Sequence, residues 1–262
     1  FQNKFKPLKL LGQGGFGCVF EVEQNVMGRV KWPRAVKRIP LSGSENEVDT
    51  ALREVATLNS LDHPGIVKFY DAWHEEPPEG WQVYTYCILF VISGAYAKIP
   101  YVDNCSFLYI EMELCKSTLA EWLSDNKHRD LRRMTKWFEQ IVTAVSYIHS
   151  KGIIHRDLKP CNILFTSKDH LKICDIGIGV EKIIEDGVET TFTRTCTSRS
   201  EYMSPEQMFI FSHITTASDI FTLGLILAEL IVVMNYKMKV EVFDNFRDGK
   251  RNSIFEDEAA VK

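Results

Sequence analysis

Eight residues, His155-Arg156-Asp157-Leu158-Lys159-Pro160-Cys161-Asn162, constrain this chain of 262 residues more than any other stretch. They crowd an imidazole, two cations, a carboxylate and an amide into one short loop. Upstream, MTKWFEQIVTAVSYIHS places apolar residues at 134, 137, 138, 141, 145 and 148, the spacing of a long amphipathic helix, and Gly152 follows as a stop signal. Downstream, thirteen residues after Asn162, comes KICDIGIG at 172 to 179, in which Asp175 is the one acid of a mostly apolar run. Charged groups in such surroundings are costly unless paired, so the fold has to supply partners for them.

The N-terminal half reads differently. LKLLGQGGFGCVFEV at 8 to 22 sets a glycine-dense turn between two runs of strand formers, a hairpin. Its glycines Gly12, Gly14 and Gly17, with Val19, fit G-x-G-x-x-G-x-V. A dinucleotide fold would continue into a helix, whereas here the chain continues as strand from Val19 to Val22. That favours a glycine flap over phosphates, although a tight turn alone would use the same residues. RAVKRI at 34 to 39 alternates apolar and basic residues as a third strand and carries Lys37. EVDTALREVATLNS at 47 to 60 has apolar groups at 48, 51, 52, 55 and 58, a helical face that would pack on the strands. The same helix carries Glu54, an acid able to hold Lys37 against a nucleotide's phosphates. IVKFYDAW (66 to 73) and FLYIEMEL (107 to 114) are further strands, separated by a segment of about 32 residues that opens EEPPEG and then turns apolar. SDIFTLGLILAELIVV at 218 to 233 is apolar on nearly every face, which predicts a fully buried helix. Strands first and helices after predict an α+β protein of two lobes with a cleft between them.

Phosphoryl transfer explains why the loop needs these residue types. Charge on the phosphates must be neutralised, and hard oxygen ligands such as Asp175 and the Asn162 amide suit Mg²⁺. A carboxylate, Asp157, can orient the attacking hydroxyl and accept its proton. Lys159 can stabilise the transferring group.

With these motifs in order, residues 5 to about 230 resemble a eukaryotic protein kinase, from glycine loop to Ser204-Pro205-Glu206. The resemblance implies a bilobal fold, with a strand-rich N-lobe at 1–115, an insert near 76–106, and a helical C-lobe at 116–262 whose final helices are missing. It implies ATP and Mg²⁺ as cofactors and Met112 at the gatekeeper position. It further implies adenine hydrogen bonds from the backbone of Glu113 and Cys115, with Val19, Ala35 and Leu164 sandwiching the ring. Asp219 would anchor the catalytic loop from the buried helix. HPGIVKFYDAWHEEPPEGWQ, YMSPEQ and DIFTLGLILAEL are similar to the kinases of the alpha subunit of eukaryotic initiation factor two, and AW-x-E-x-PPE-x-W to their PERK-like branch, which answers endoplasmic-reticulum stress. This narrower likeness implies a serine/threonine kinase acting on that subunit and a homodimer formed through the N-lobe. It also implies a cytosol-facing domain of an endoplasmic-reticulum membrane protein.

Other features bound this expectation. A net charge of −4 and a pI near 6.0 supply no basic field for nucleic acid. The longest apolar stretch, VYTYCILFVI at 83 to 92, is about half of what a membrane span needs, which predicts no membrane contact by this segment. Seven cysteines without a C-x-x-C pair argue against a zinc ribbon or a disulfide framework and for a reducing compartment. Asn104-Cys105-Ser106 matches a glycosylation sequon that conflicts with those thiols. The chain opens on Phe1 and reads as a piece of a longer polypeptide.

Three departures from the family pattern stand out. Ile176 replaces the phenylalanine expected after Asp175 and would pack against Leu58, Phe69 and His155, weakening the active arrangement by about 1 kcal/mol. Arg199 occupies a threonine position, with Ser198 and Ser200 as substitutes. The arginine expected to pair with Glu206 is not recognisable. A pseudokinase or regulatory scaffold that binds ATP, and an active kinase with another protein substrate, therefore remain alternatives. Thr190, Thr191, Thr193, Thr195, Thr197, Ser198 and Ser200 are candidates for a loop phosphate paired with Arg156.

Overall fold

The computed structural model describes residues 1, 4–14, 17–26, 30–41, 45–76, 106–166, 169–176, 180–185, 188–193, 200–208 and 214–255. They fall into two compact units, Phe1–Asp62 with Val67–Cys115, and His63–Ile66 with Lys116 onward.

The first unit is built on a five-stranded antiparallel sheet of order β1-β2-β3-β5-β4, with β1 at Phe5–Gly14, β2 at Gly17–Val26, β3 at Val30–Leu41, β4 at Phe69–Glu75 and β5 at Ser106–Met112. Helix α1 spans Glu45–Asn59. The β1–β2 turn needs glycine at position 17, because its φ is +127° and a Cβ there would collide with the Arg38 carbonyl oxygen. Register then sorts side chains onto two faces. Val19 pairs with Lys37 and Lys37 with Ile110, while Ala35 pairs with Met112, so all five share one face. This face carries a core of Leu41, Ala51, Leu108 and Ile110, joined by Val48, Val55 and Leu58 of α1. The opposite face is aromatic: Phe5, Phe20, Phe107 and Tyr109 are buried with Cys18, Val22 and Val36. Trp73 stacks on Tyr109 at 5.2 Å, and the Arg38 guanidinium lies 4.8 Å from the Phe107 ring centroid. The insert expected near 76–106 lies, for residues 77–105, outside the described residues, as does most of its sequon.

The second unit is mainly helical. Its elements are β6 (Ser117–Thr118), α2 (Leu119–Asp125), α3 (Leu131–Ser150), β7 (Ile163–Phe165), β8 (Leu171–Ile173), β9 (Val180–Glu185), β10 (Val188–Thr193), α4 (Thr216–Ile231) and α5 (Tyr236–Arg247). Thr118 and Glu121 form a reciprocal capping box that starts α2, and the Asp130 carboxylate accepts from the amides of Arg132 and Arg133 to start α3. The buried stripe of α3 is Met134, Trp137, Ile141, Ala144, Val145 and Ile148. Gly152 follows with φ +71°, the left-handed conformation that ends helices.

Three features differ from the sequence expectation. Helix α4 is not buried all round: Ile220 is 56 % exposed, and Ala217 and Gly224 share its stripe facing solvent. Apolar composition permits burial but does not supply a neighbour for every face. Thr190, Thr191 and Thr193, expected in a loop, lie on β10 of a β9–β10 hairpin. Beyond residue 231, where no helix was recognised, α5 starts from Asn235, whose side chain accepts from the Met238 amide. It packs Val242 and Phe243 on Leu225, with Phe246 and Phe255 alongside.

Candidate active site

Asp219, on α4 and 1 % exposed, organises the loop that contains the polar octet. Its Oδ2 accepts from the His155 amide at 2.8 Å and its Oδ1 from the Arg156 amide at 2.9 Å. His149, at the end of α3, contacts Oδ2 through Nε2 at 2.7 Å. A carboxylate placed this deep is tolerable because several donors converge on it. They hold the loop in a shape that includes Arg156 at φ +68°, unusual for a residue with a side chain.

His155 is buried, and that burial pushes its imidazole below its ordinary value, towards the neutral form. Its Nδ1 accepts from the Asp157 amide at 3.3 Å, which leaves the Nε2–H to donate to the Cys174 carbonyl at 3.0 Å. The imidazole thus ties Asp157 to the strand end that delivers Asp175. A second tie runs from the Cys174 amide to the Asn162 carbonyl at 3.0 Å.

On that frame, Asp157 Oδ2 accepts from Lys159 Nζ at 2.7 Å and from Asn162 Nδ2 at 3.1 Å. Asn162 Nδ2 also donates to the Asp157 carbonyl at 2.8 Å. Both amide protons of Asn162 are therefore engaged by Asp157, which points its Oδ1 away from that residue as an oxygen donor. Asp175 has φ +57° and is half-buried, and Ile176 beside it is fully buried. Isoleucine thus fills an enclosed position where the family pattern has phenylalanine.

The donor set suits Mg²⁺. Among the described residues no group of three or more His, Cys, Asp or Glu side chains converges, so there is no all-protein metal cage. One carboxylate and one amide oxygen, completed by phosphate oxygens and water, are what a small, reluctantly dehydrated cation takes.

Sequence reasoning missed two residues here. Gln207, directly after Ser204-Pro205-Glu206, donates through Nε2 to the Arg156 carbonyl at 2.7 Å and accepts from the Ser204 amide at 3.0 Å. His149 belongs to the SYIHS helix end, and only its position on the Asp219 side of α3 marks it out. Glu206 accepts from Ser218 at 2.5 Å. Arg156 Nε and Nη1 are buried with no hydrogen-bond partner among the described residues.

In the first unit, Lys37 is 5 % and Ala35 5 % exposed, Val19 is half-buried, and Gly12, Gly14 and Gly17 lie at the β1–β2 turn. Glu54 lies on α1; its side chain is outside the described residues. The Glu113 amide donates to the Lys68 carbonyl at 2.9 Å, and Cys115 closes the unit half-buried. Leu164, on β7 of the second unit, is half-buried. Arg199 and Ser198 are outside the described residues.

Known proteins bear on this arrangement. A family model described as the protein kinase domain matches residues 5–255. The interferon-induced, double-stranded RNA-activated protein kinase of Rattus norvegicus is 37 % identical over 262 residues, covering 98 % of this chain and 46 % of the relative. The eIF-2-alpha kinase GCN2 of Arabidopsis thaliana is 34 % identical over 276 residues, covering 92 % and 22 %. The eukaryotic translation initiation factor 2-alpha kinase pek-1 of Caenorhabditis elegans is 36 % identical over 171 residues, covering 58 % and 16 %. The chain thus spans less than half the length of these relatives. Fold, motif order and likeness agree, and the chain belongs to the protein kinase family, among relatives that include initiation factor two alpha kinases.

Proposed function

We propose that this chain is a serine/threonine protein kinase that transfers the γ-phosphate of ATP to a serine of the alpha subunit of initiation factor two, reducing translation initiation under stress. The observation that carries the chemistry is the Asp157 carboxylate, held by Lys159 and Asn162 within 3.1 Å. The substrate assignment rests on the names of the relatives and on the sequence likeness of YMSPEQ and the 63–82 run.

In this reading Asp157 orients the acceptor hydroxyl and takes its proton at a carboxylate oxygen. Lys159, already on that carboxylate, steadies the transferring group. Mg²⁺ bound by Asp175 and Asn162 Oδ1 would neutralise charge on the phosphates. Lys37 and Glu54 position ATP; Gly12, Gly14 and Gly17 cover its phosphates; Val19, Ala35 and Leu164 enclose the adenine. Glu113 and Cys115 would offer backbone groups to the base; the Glu113 amide already donates to the Lys68 carbonyl at 2.9 Å. The buried, unpartnered nitrogens of Arg156 support a loop phosphate as their counter-charge. The thiols of Cys18 and Cys161, which form no disulfide, support a domain facing a reducing compartment, and none of the described helices is long and apolar enough to cross a membrane.

One assay with labelled ATP, Mg²⁺ and intact initiation factor two tests the reading. Phosphate on a serine of the alpha subunit is expected. No transfer at all would favour a scaffold, and autophosphorylation alone would favour another substrate. Mass spectrometry should find phosphate between residues 190 and 200 after incubation with ATP; none there would remove the role given to Arg156.

A further inference from the structure

A cavity of about 1080 Å³ opens within the second unit, and none of the residues that line it belongs to the catalytic octet. Its walls are the α2–α3 loop, the end of α4, one side of α5 and residues 251–254. The last wall is fixed by Asn252, 8 % exposed, which donates to the Val242 carbonyl at 3.3 Å and accepts from Asn245 Nδ2 at 3.0 Å. Ile231, Val232, Val242 and Ile254 make part of the lining apolar. The charged part is mostly cationic: Lys127, Arg129 and Arg251, with His128 beside them, stand against the carboxylate of Glu241.

Arg129 sets the chemistry. It is 9 % exposed, yet its hydrogen bonds go to carbonyls, from Nε to that of Glu229 at 3.4 Å and from Nη1 to that of Asn126. Its guanidinium also lies 5.2 Å from the Trp122 ring centroid. A guanidinium has five N–H donors, so most of them are left for a further acceptor. Glu229, the acid whose charge acts on Arg129, commits its carboxylate to Lys239 at 3.1 Å and to the Tyr202 hydroxyl. Burial outweighs that attraction and pulls the guanidinium below its ordinary pKa. Burying a cation without a carboxylate is costly, and the cavity that Arg129 lines gives an external anion access to it.

We propose that this cavity is a binding site for an amphipathic organic anion, which sets a carboxylate or phosphate on Arg129 and an apolar body against Val232 and Ile254. The volume suits an organic ligand, and a mostly apolar lining with a few convergent polar groups is what such ligands take. Lys127 and Arg251, exposed at the rim, add attraction for the same charge. The proposal stands apart from the kinase reading, because it uses no residue of the transfer chemistry.

Calorimetric titration of the full chain with octyl phosphate, octanoate and octanol tests it. The two anions should bind about tenfold more tightly than octanol, the factor that one charged hydrogen bond is worth. A preference between the two anions identifies the acid and supports the site either way. Arg129→Met should remove most of the tenfold advantage. Glu241→Gln, an exchange at an exposed residue, should tighten both anions by about two- to threefold and leave octanol unchanged. Octanol binding as tightly as the anions, no binding of either anion, or anion affinities unchanged in both variants would overturn the proposal. Should Arg129→Met fail to fold, Glu241→Gln and Arg251→Ala decide it, the second weakening the anions about two- to threefold. Unchanged affinities in that pair would equally overturn it.

Discussion

The sheet of the first unit and the catalytic loop of the second solve opposite problems. The sheet is regular, and its order comes from apolar and aromatic side chains that share a face by register, such as Tyr109 beneath Trp73 and Leu108 beside α1. The loop from His155 to Asn162 has only a single 3₁₀ turn of regular structure, and its order comes from buried side chains that accept backbone amides, Asp219 above all. Apolar burial is forgiving of composition, whereas each polar partner of the loop answers a specific donor. Substitutions in the sheet should therefore cost stability, and substitutions in the loop should cost chemistry or the loop's own shape.

The sharpest break of this contrast is Asp219→Ala. It orphans the buried amide of His155 and the part-buried amide of Arg156, and should cost about 3 kcal/mol in urea unfolding together with most of the phosphoryl transfer per folded molecule. Loss of stability with full activity would mean that the loop is held by something other than Asp219. Next comes Leu108→Ala, on the α1 face of the sheet and 4 % exposed. Its cavity should lower stability by about 2–3 kcal/mol, while kcat of the folded fraction stays within about twofold. A larger fall in kcat would show that the sheet is part of the chemistry after all.

The smallest effect is one of pH. Folding depresses the His155 pKa, so between its unfolded value near 6.5 and its lower folded value the unfolded chain binds the extra proton. Stability is then complete above about pH 6.5 and falls as the pH drops through this window, by at most about 1.4 kcal/mol per pH unit. His155→Phe should flatten this part of the acid profile. An unchanged slope would mean that His155 is not the group being titrated.

How much could be read from sequence differs between the same two regions. The strand at 34 to 39 was legible because its alternation has a period of two, that at 107 to 114 because it is a short run rich in apolar strand formers, and the catalytic octet because its chemistry restricts residue types. Helix α5 was hidden: YKMKVEV alternates apolar and polar like a strand, and what makes it a helix is the Asn235 cap and the packing of Val242, Phe243 and Phe246, which no local pattern states. The β9–β10 hairpin was legible in principle, since Asp186-Gly187 between two β-branched runs is a hairpin signal. The threonines that follow it were read instead as residues of a loop. Helix α4 shows the reverse error, a nearly uniform apolar run read as uniform burial while Ile220 faces solvent. Gln207 could not have been singled out, because its two hydrogen bonds reach positions 3 and 51 residues away in the chain.

The central claim is that the Asp157 carboxylate, rather than the fold around it, carries the transfer. The most direct measurement is kcat for phosphorylation of intact initiation factor two alpha by wild type and Asp157→Asn, alongside the unfolding free energy of each. Asp157 is part-exposed, so its exchange for an amide should change stability by no more than about 1 kcal/mol. Over the same exchange, kcat should fall by a factor on the order of 10²–10⁴. An Asp157→Asn protein that is equally stable and phosphorylates the factor at the wild-type rate would contradict the account.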